Sequence, residues 1–301
     1  MRLTFTSVAA VKGTIPGKYG WFSVHLLIAI FIVGVAGLQA QPEFDPAAIF
    51  LTWQQDPTST MTIDWHTTPD QPIRLGALID TRLRCARGIY RHPMNDYVYV
   101  AVGHSDGDSH TNSSLVVNDI SDPATPVFIS ETKDEKITAG SELFISGSYL
   151  YMSGFRDHLV KIFEYSNSSS TDFVIHLEDD RLRYPRGISG NDRYLFVNSS
   201  GNKSIVAFDI TNPAVPVKAG SIFHPFLTGV RQSTLVENRL FVTSWQGSGV
   251  FLVDVSSPEI MQLIDSQFHH SLSGVYGITA RDNYIYATAT VTGGLVVLEY
   301  Y

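Results

Sequence analysis

The stretch Ser204-Ile-Val-Ala-Phe-Asp209-Ile-Thr-Asn-Pro213-Ala-Val-Pro216-Val217 decides the fold. It reads as an apolar strand, an acidic residue at the strand's end, a proline-rich turn and the start of another strand. The pattern recurs. Asp119, Asp209 and Asp254 each close an apolar run and stand four residues before Pro123, Pro213 and Pro258. Glu164 and Glu299 take the same place after Leu159–Phe163 and Gly294–Leu298. The five acids step along the chain by 45 residues. An Asp before a turn accepts hydrogen bonds from the next backbone N–H groups while Pro fixes φ, so each acid has a local structural role.

Other landmarks keep the same step. Aromatic strands centre on Tyr99, Tyr151, Phe196, Phe241 and Tyr286; the first interval is longer because a loop, 103–112, is inserted there. Gly88, Gly140, Gly187 and Gly277 each open a short strand before the aromatic one, and Pro126, Pro216 and Glu259 begin a fourth strand after the turn. Four short strands in a unit of about 45 residues are the signature of a β-propeller. The expected fold is therefore all-β: a propeller of five four-stranded blades over residues 72–301. The last unit ends at Tyr301 after its third strand, and Pro72-Ile-Arg-Leu-Gly76-Ala-Leu-Ile79 matches Pro216-Val-Lys-Ala-Gly220-Ser-Ile-Phe223 position by position. Residues 72–79 are thus expected to be the N-terminal strand that joins the last blade and closes the ring.

The segment 115–127, with its partners at 205–217 and 250–258, resembles the LVIVD repeat. That resemblance spans about 72–301 and implies a propeller of mainly exported bacterial and archaeal proteins. It is nearly silent on activity. Residues 47–67 form an alternating pair of runs around Asp56-Pro57-Thr58-Ser59-Thr60. They resemble the opening strands of the fibronectin-III-like N-terminal domain of purple acid phosphatases. The metal-ligand motifs of the phosphatase domain are missing from the chain, so 41–71 reads as a strand pair or remnant.

Residues 1–40 carry Arg2, Lys12 and Lys18 and no acid, then the apolar run Val24–Leu38, then Gln39-Ala40-Gln41. A basic start, an apolar stretch shorter than the ~20 residues of a spanning helix, and a small residue at the cleavage point fit a signal peptide or, uncleaved, a membrane anchor. The expected location is periplasmic, cell-surface or secreted, with membrane attachment only if the segment stays. One cysteine, Cys85, excludes an intramolecular disulfide. Absence of disulfides behind a signal leans bacterial, so the sequons at Asn112, Asn167, Asn198 and Asn202 carry no message. A net charge of −8 without a basic run argues against nucleic acid.

Two recurring sets could carry chemistry. The connectors after each fourth strand hold Asp80, Asp134, Asp179, His224 and His269. On a ring these five share one rim, where they could hold a divalent metal or a cationic ligand, or else serve their own connectors. Arg87, Arg186 and Arg231 begin first strands, which line a propeller's axis. They suit an anionic ligand, or else pair with the acidic rim. Asp106 and Asp108 in the inserted loop are weak metal candidates that lack the calcium-loop pattern. There is no phosphate-cradling glycine loop. The expected function is a non-catalytic exported scaffold, without a required cofactor, that binds a protein, small molecule or glycan. The alternative is a hydrolase using rim carboxylates, metal-assisted or phosphatase-related.

Overall fold

The structure is a computed structural model, and it describes residues 3–10, 26–29, 48–53, 60–65, 73–83, 86–92, 95–103, 114–133, 139–167 and 170–301. Cys85, Asp106, Asp108, Asn112 and Asp134 lie outside the described residues. Strand β1 is Leu3–Ala10. Strands β2 (Leu26–Ala29), β3 (Ala48–Trp53), β4 (Thr60–Trp65) and β5 (Ile73–Ile79) form one antiparallel sheet.

The five repeat blades follow in chain order. The first holds β6 (Ala86–Arg91), β7 (Tyr97–Val102), β8 (Ser114–Asp119) and β9 (Val127–Lys133). The second holds β10 (Gly140–Ser146), β11 (Tyr149–Gly154), β12 (Leu159–Asn167) and β13 (Ser170–Glu178). The third holds β14 (Pro185–Gly190), β15 (Tyr194–Ser199), β16 (Ser204–Asp209) and β17 (Val217–Phe223). The fourth holds β18 (Val230–Val236), β19 (Arg239–Ser244), β20 (Gly249–Asp254) and β21 (Gln262–Phe268). The fifth holds β22 (Val275–Arg281), β23 (Tyr284–Ala289), β24 (Gly294–Tyr300) and, as its outer strand, β1. The chain is all-β, and its described helical residues are confined to three-residue 3-10 turns.

Each blade buries both faces, because a blade inside the ring has a neighbour on either side. In β16 every residue from Ser204 to Phe208 is buried, which is why the strand is apolar throughout rather than alternating. The cores lie between blades. Tyr99, Leu115, Val117, Leu143, Met152 and Phe163 pack the first blade on the second. Phe196, Ile205, Leu240, Phe251 and Val253 pack the third on the fourth. The recurring acids are turn devices as expected: Asp119, Asp209 and Asp254 accept the N–H of Ser121, Thr211 and Ser256 at 2.7–2.9 Å.

The closing strand needs correction. An N-terminal strand does join the last blade, but it is β1, paired antiparallel from Leu3↔Tyr300 to Ala10↔Gly294. Residues 73–79 pair instead with β4, from Ile73↔Trp65 to Ile79↔Thr60. They are an outer strand, as the match with 216–223 implied, of a further four-stranded sheet. Both segments carry a glycine at the same register for the same reason. A Cβ on Gly76 would lie 2.2 Å from the Pro123 carbonyl oxygen, and one on Gly220 2.2 Å from that of Pro258. Each glycine lets the proline turn of the next blade settle against the outer strand. The expected strand pair at 47–67 is present as β3–β4, and β4 pairs in turn with β5, so one sheet holds strands from both sides of position 72. Through Met61 and Leu78 this sheet joins the core of the first repeat blade, and β2 lies against β22 of the last.

A candidate anion site on the propeller axis

The connector rim is built from one repeated turn. Asp80 and Asp179 accept the N–H of the residue two positions on, Arg82 and Arg181, at 2.9 and 2.8 Å. His224 and His269 do the same through Nδ1 to Phe226 and Ser271 at 3.4 and 3.2 Å. The carbonyl of each then takes the N–H of a leucine three positions on: Leu83, Leu182, Leu227 and Leu272. All four leucines are buried. The carboxyls also meet cations of the surface: Arg82 bridges Asp80 and holds it below the usual carboxylate range, and Lys218 reaches Asp179 at 3.2 Å. Among the described residues no group of three His, Cys, Asp or Glu side chains is placed to hold a metal ion. The four described rim residues thus each cap their own connector.

The arginines are gathered. The second residue of each repeat blade's inner strand is Arg87, Ser141, Arg186, Arg231 or Tyr276. Each inner strand has a register shift there, so that, for example, Arg186 and Gly187 together face Asn198 between the pairs Pro185↔Ser199 and Ile188↔Val197. Such a bulge re-aims side chains, here towards the axis. The glycine beside the arginine is required by proximity: a Cβ on Gly187 would fall 2.1 Å from the Arg231 carbonyl oxygen.

A second recurring set fixes these bulges. Ser153, Asn198 and Thr243 are fully buried on the second strands. Each donates to the carbonyl of the axial residue in the next blade: Ser153 to Arg186, Asn198 to Arg231 at 3.0 Å, and Thr243 to Tyr276 at 2.7 Å. The hydroxyls of Ser153, Thr243 and Thr288 also accept the bulge N–H of their own blade, from Glu142, Gln232 and Gly277, at 3.0–3.1 Å. One polar side chain thus satisfies two backbone groups and ties two blades together. The 45-residue spacing of Ser153, Asn198, Thr243 and Thr288 is the signal that could have found them. Asn198, one of the sequon asparagines, is committed to this interior role.

The electrostatics follow from like charges sharing a small space. Burial lowers the Arg186 guanidinium to about 10, and the charges of Arg231 and Arg87 pull the same way, while a hydrogen bond to Tyr276 opposes them. Burial also lowers Arg231, again with Arg87 contributing. No carboxylate of the described residues takes part in either balance. The Nε atoms of Arg186 and Arg231 are buried without a hydrogen-bond partner. Aromatic faces flank them: Arg186 lies 3.8 Å from the Phe155 ring centroid, and Arg231 lies 5.3 Å from Trp245 and 5.5 Å from Tyr276. Trp245 is held by its indole N–H to Thr290 at 3.2 Å. Three guanidiniums that repel one another thus meet on the axis beside aromatic rings.

This is a β-propeller with a cationic axial site. Its fold is similar to several solved propellers. The periplasmic gluconolactonase of Pseudomonas aeruginosa superposes with a TM-score of 0.71 at 10% identity, over 86% of this chain and 80% of that one. A protein from Lactobacillus plantarum gives 0.69 at 11% identity, over 83% and 77%. A protein of unknown function from Desulfotomaculum acetoxidans gives 0.68 at 12%, over 84% and 79%. Such identities show the fold alone. No protein-family model and no curated protein matches the chain.

Proposed function

We propose that the protein is a non-catalytic, exported propeller that binds a small oxyanion, a carboxylate or phosphate compound, on its axis. The observation that carries this is the meeting of Arg87, Arg186 and Arg231 with no carboxylate of the described residues in the charge balance of Arg186 or Arg231. An anion forming bidentate hydrogen bonds with these forks would relieve their mutual repulsion. Citrate is the probe. Calorimetric titration at low ionic strength should show one-to-one binding that Arg186→Ala with Arg231→Ala removes; a wild-type protein that ignores both citrate and phosphate would end the proposal.

Export rests on the sequence of residues 1–40, on the resemblance to the LVIVD repeat, and on nothing else in the chain. Among the described residues no helix is long and apolar enough to cross a membrane. Cleavage after Ala40 would remove β1 from the last blade and β2 from its sheet. N-terminal sequencing of the protein recovered from cell fractions decides whether that segment is retained.

The second reading, a hydrolase, is favoured by the similarity to a gluconolactonase. It has weaker support in the side chains, since Asp80 and Asp179 are engaged with Arg82 and Lys218. Assay of glucono-lactone hydrolysis against the spontaneous rate tests it.

A further inference from the structure

Beyond the arginines, one to four positions farther along each inner strand, the channel opens into a cavity of about 220 Å³. It is smaller than the ~300–1,000 Å³ that drug-sized ligands fill, so its occupant is small. Its walls are aliphatic, with Ile89, Leu143, Ile188 and Ile278 among them. Glu142 and Gln232 reach across the axis to each other at the end nearest the arginines, the Gln232 amide donating to Glu142 Oε2. The hydroxyls of Ser189 and Ser233 meet at 2.8 Å on the wall. No Lys, Arg or His lines the cavity among the described residues.

We propose that this cavity is a second binding site, for a small organic cation: a primary ammonium on a short aliphatic body. The carboxylate of Glu142 supplies the counter-charge, the paired serine hydroxyls accept remaining ammonium hydrogens, and the aliphatic wall covers the alkyl chain. Glu142 is half-buried, and a carboxyl drawn away from water whose side-chain partner is a neutral amide lacks the cation that such carboxylates require. Burial pushes Glu142 up to about 7, against the hydrogen bonds from Gln232 and Leu143 that favour its ionised form. No arginine enters that balance. The axis therefore carries two separate compartments of opposite preference, and this second site does not depend on the anion proposal.

The charged and titratable residues on the packed inner strands are Arg87, Tyr90 and Arg91 on β6, Arg186 on β14, Arg231 on β18, and Tyr276 and Arg281 on β22. The guanidiniums keep their charge at neutral pH, and burial raises the Tyr90 hydroxyl. Glu142 alone in the cavity then changes charge between pH 6 and 8. Ammonium binding should weaken about tenfold from pH 8 to pH 6 as Glu142 takes up a proton.

The experiment is calorimetric titration of the full chain with n-butylammonium and with n-butanol at both pH values. At pH 8 the ammonium should bind one-to-one, at least tenfold tighter than the alcohol, and Glu142→Gln should abolish the preference. The citrate titration run on the same samples separates the two compartments: Glu142→Gln should leave citrate affinity within twofold. Equal binding of alcohol and ammonium by the wild-type protein overturns the proposal, as does absence of ammonium binding or an undiminished preference in Glu142→Gln. The wild-type comparison of the two probes stands even if the variant does not fold.

Discussion

The connector rim and the axial ring obey the same 45-residue recurrence and differ in what recurs. On the rim the backbone task is constant and so is the side chain's role: an Asp or His caps its own turn above a buried leucine. On the axis the backbone task is again a shared one, a bulge that in the second to fifth repeat blades is pinned by a hydroxyl or amide of a second strand. The side chain leaving that bulge, however, is Arg, Ser, Arg, Arg and Tyr in successive repeat blades. A recurring position whose side chain always performs the same local hydrogen bond serves the scaffold. A recurring position whose residue varies over a fixed backbone is free to serve a ligand.

The sharpest test of that contrast is the double substitution Arg186→Ala with Arg231→Ala. Citrate affinity should fall at least 100-fold, about 3 kcal/mol, while the melting temperature stays level or rises because two buried, mutually repelling charges are gone. A large loss of stability would place the arginines with the scaffold. Gly187→Val comes next. Its side chain would enter the space of the Arg231 carbonyl oxygen, 2.1 Å from the Cβ. Denaturant unfolding should show a loss of about 3 kcal/mol or more, the range of severe overpacking.

The pH dependence of stability separates the two compartments of the axis. Glu142 is raised from 4.5 to about 7 in the folded state. The native protein then holds a proton that the unfolded chain has lost, so stability falls as pH rises between about 4.5 and 7, by up to about 3 kcal/mol. Melting temperatures of the wild type and Glu142→Gln across that window should converge at low pH and part as pH rises, the variant being the more stable. Thr243→Val removes a buried bridge between two blades and should cost about 1–3 kcal/mol by the same unfolding assay. Asp179→Asn, on the rim, should change stability by less than about 1 kcal/mol and leave citrate binding as it was. If it weakened citrate binding tenfold, rim and axis would be one site.

The repeat was legible because tight turns and two-faced strands leave a fixed grammar: an acid, two prolines, an aromatic. The closing strand was not, since Leu3–Ala10 carries none of that grammar and pairs through its backbone with β24. The further sheet was half legible. Pro69 and Pro72 stand four and seven residues after Trp65, as Pro213 and Pro216 stand after Asp209, and Phe50 holds the register of Phe196. Trp65 in the place of the acid hid the copy. Of the site, the arginines were visible as first-strand residues. Glu142 was not, because a carboxyl acquires meaning only when Gln232, 90 residues later, arrives across the axis.

Consider the pairing of β1 with β24 from the ribosome's side. Leu3 is made before its partner Tyr300, with about 300 residues between them. At roughly 5–20 residues per second, the first strand waits about 15–60 seconds for the edge it will cover. During that interval both edges are open to other strands, including those of neighbouring nascent chains. The order of synthesis therefore makes the seam of this ring its most exposed moment, and a binding factor that shields residues 3–10 would act there rather than on any finished surface.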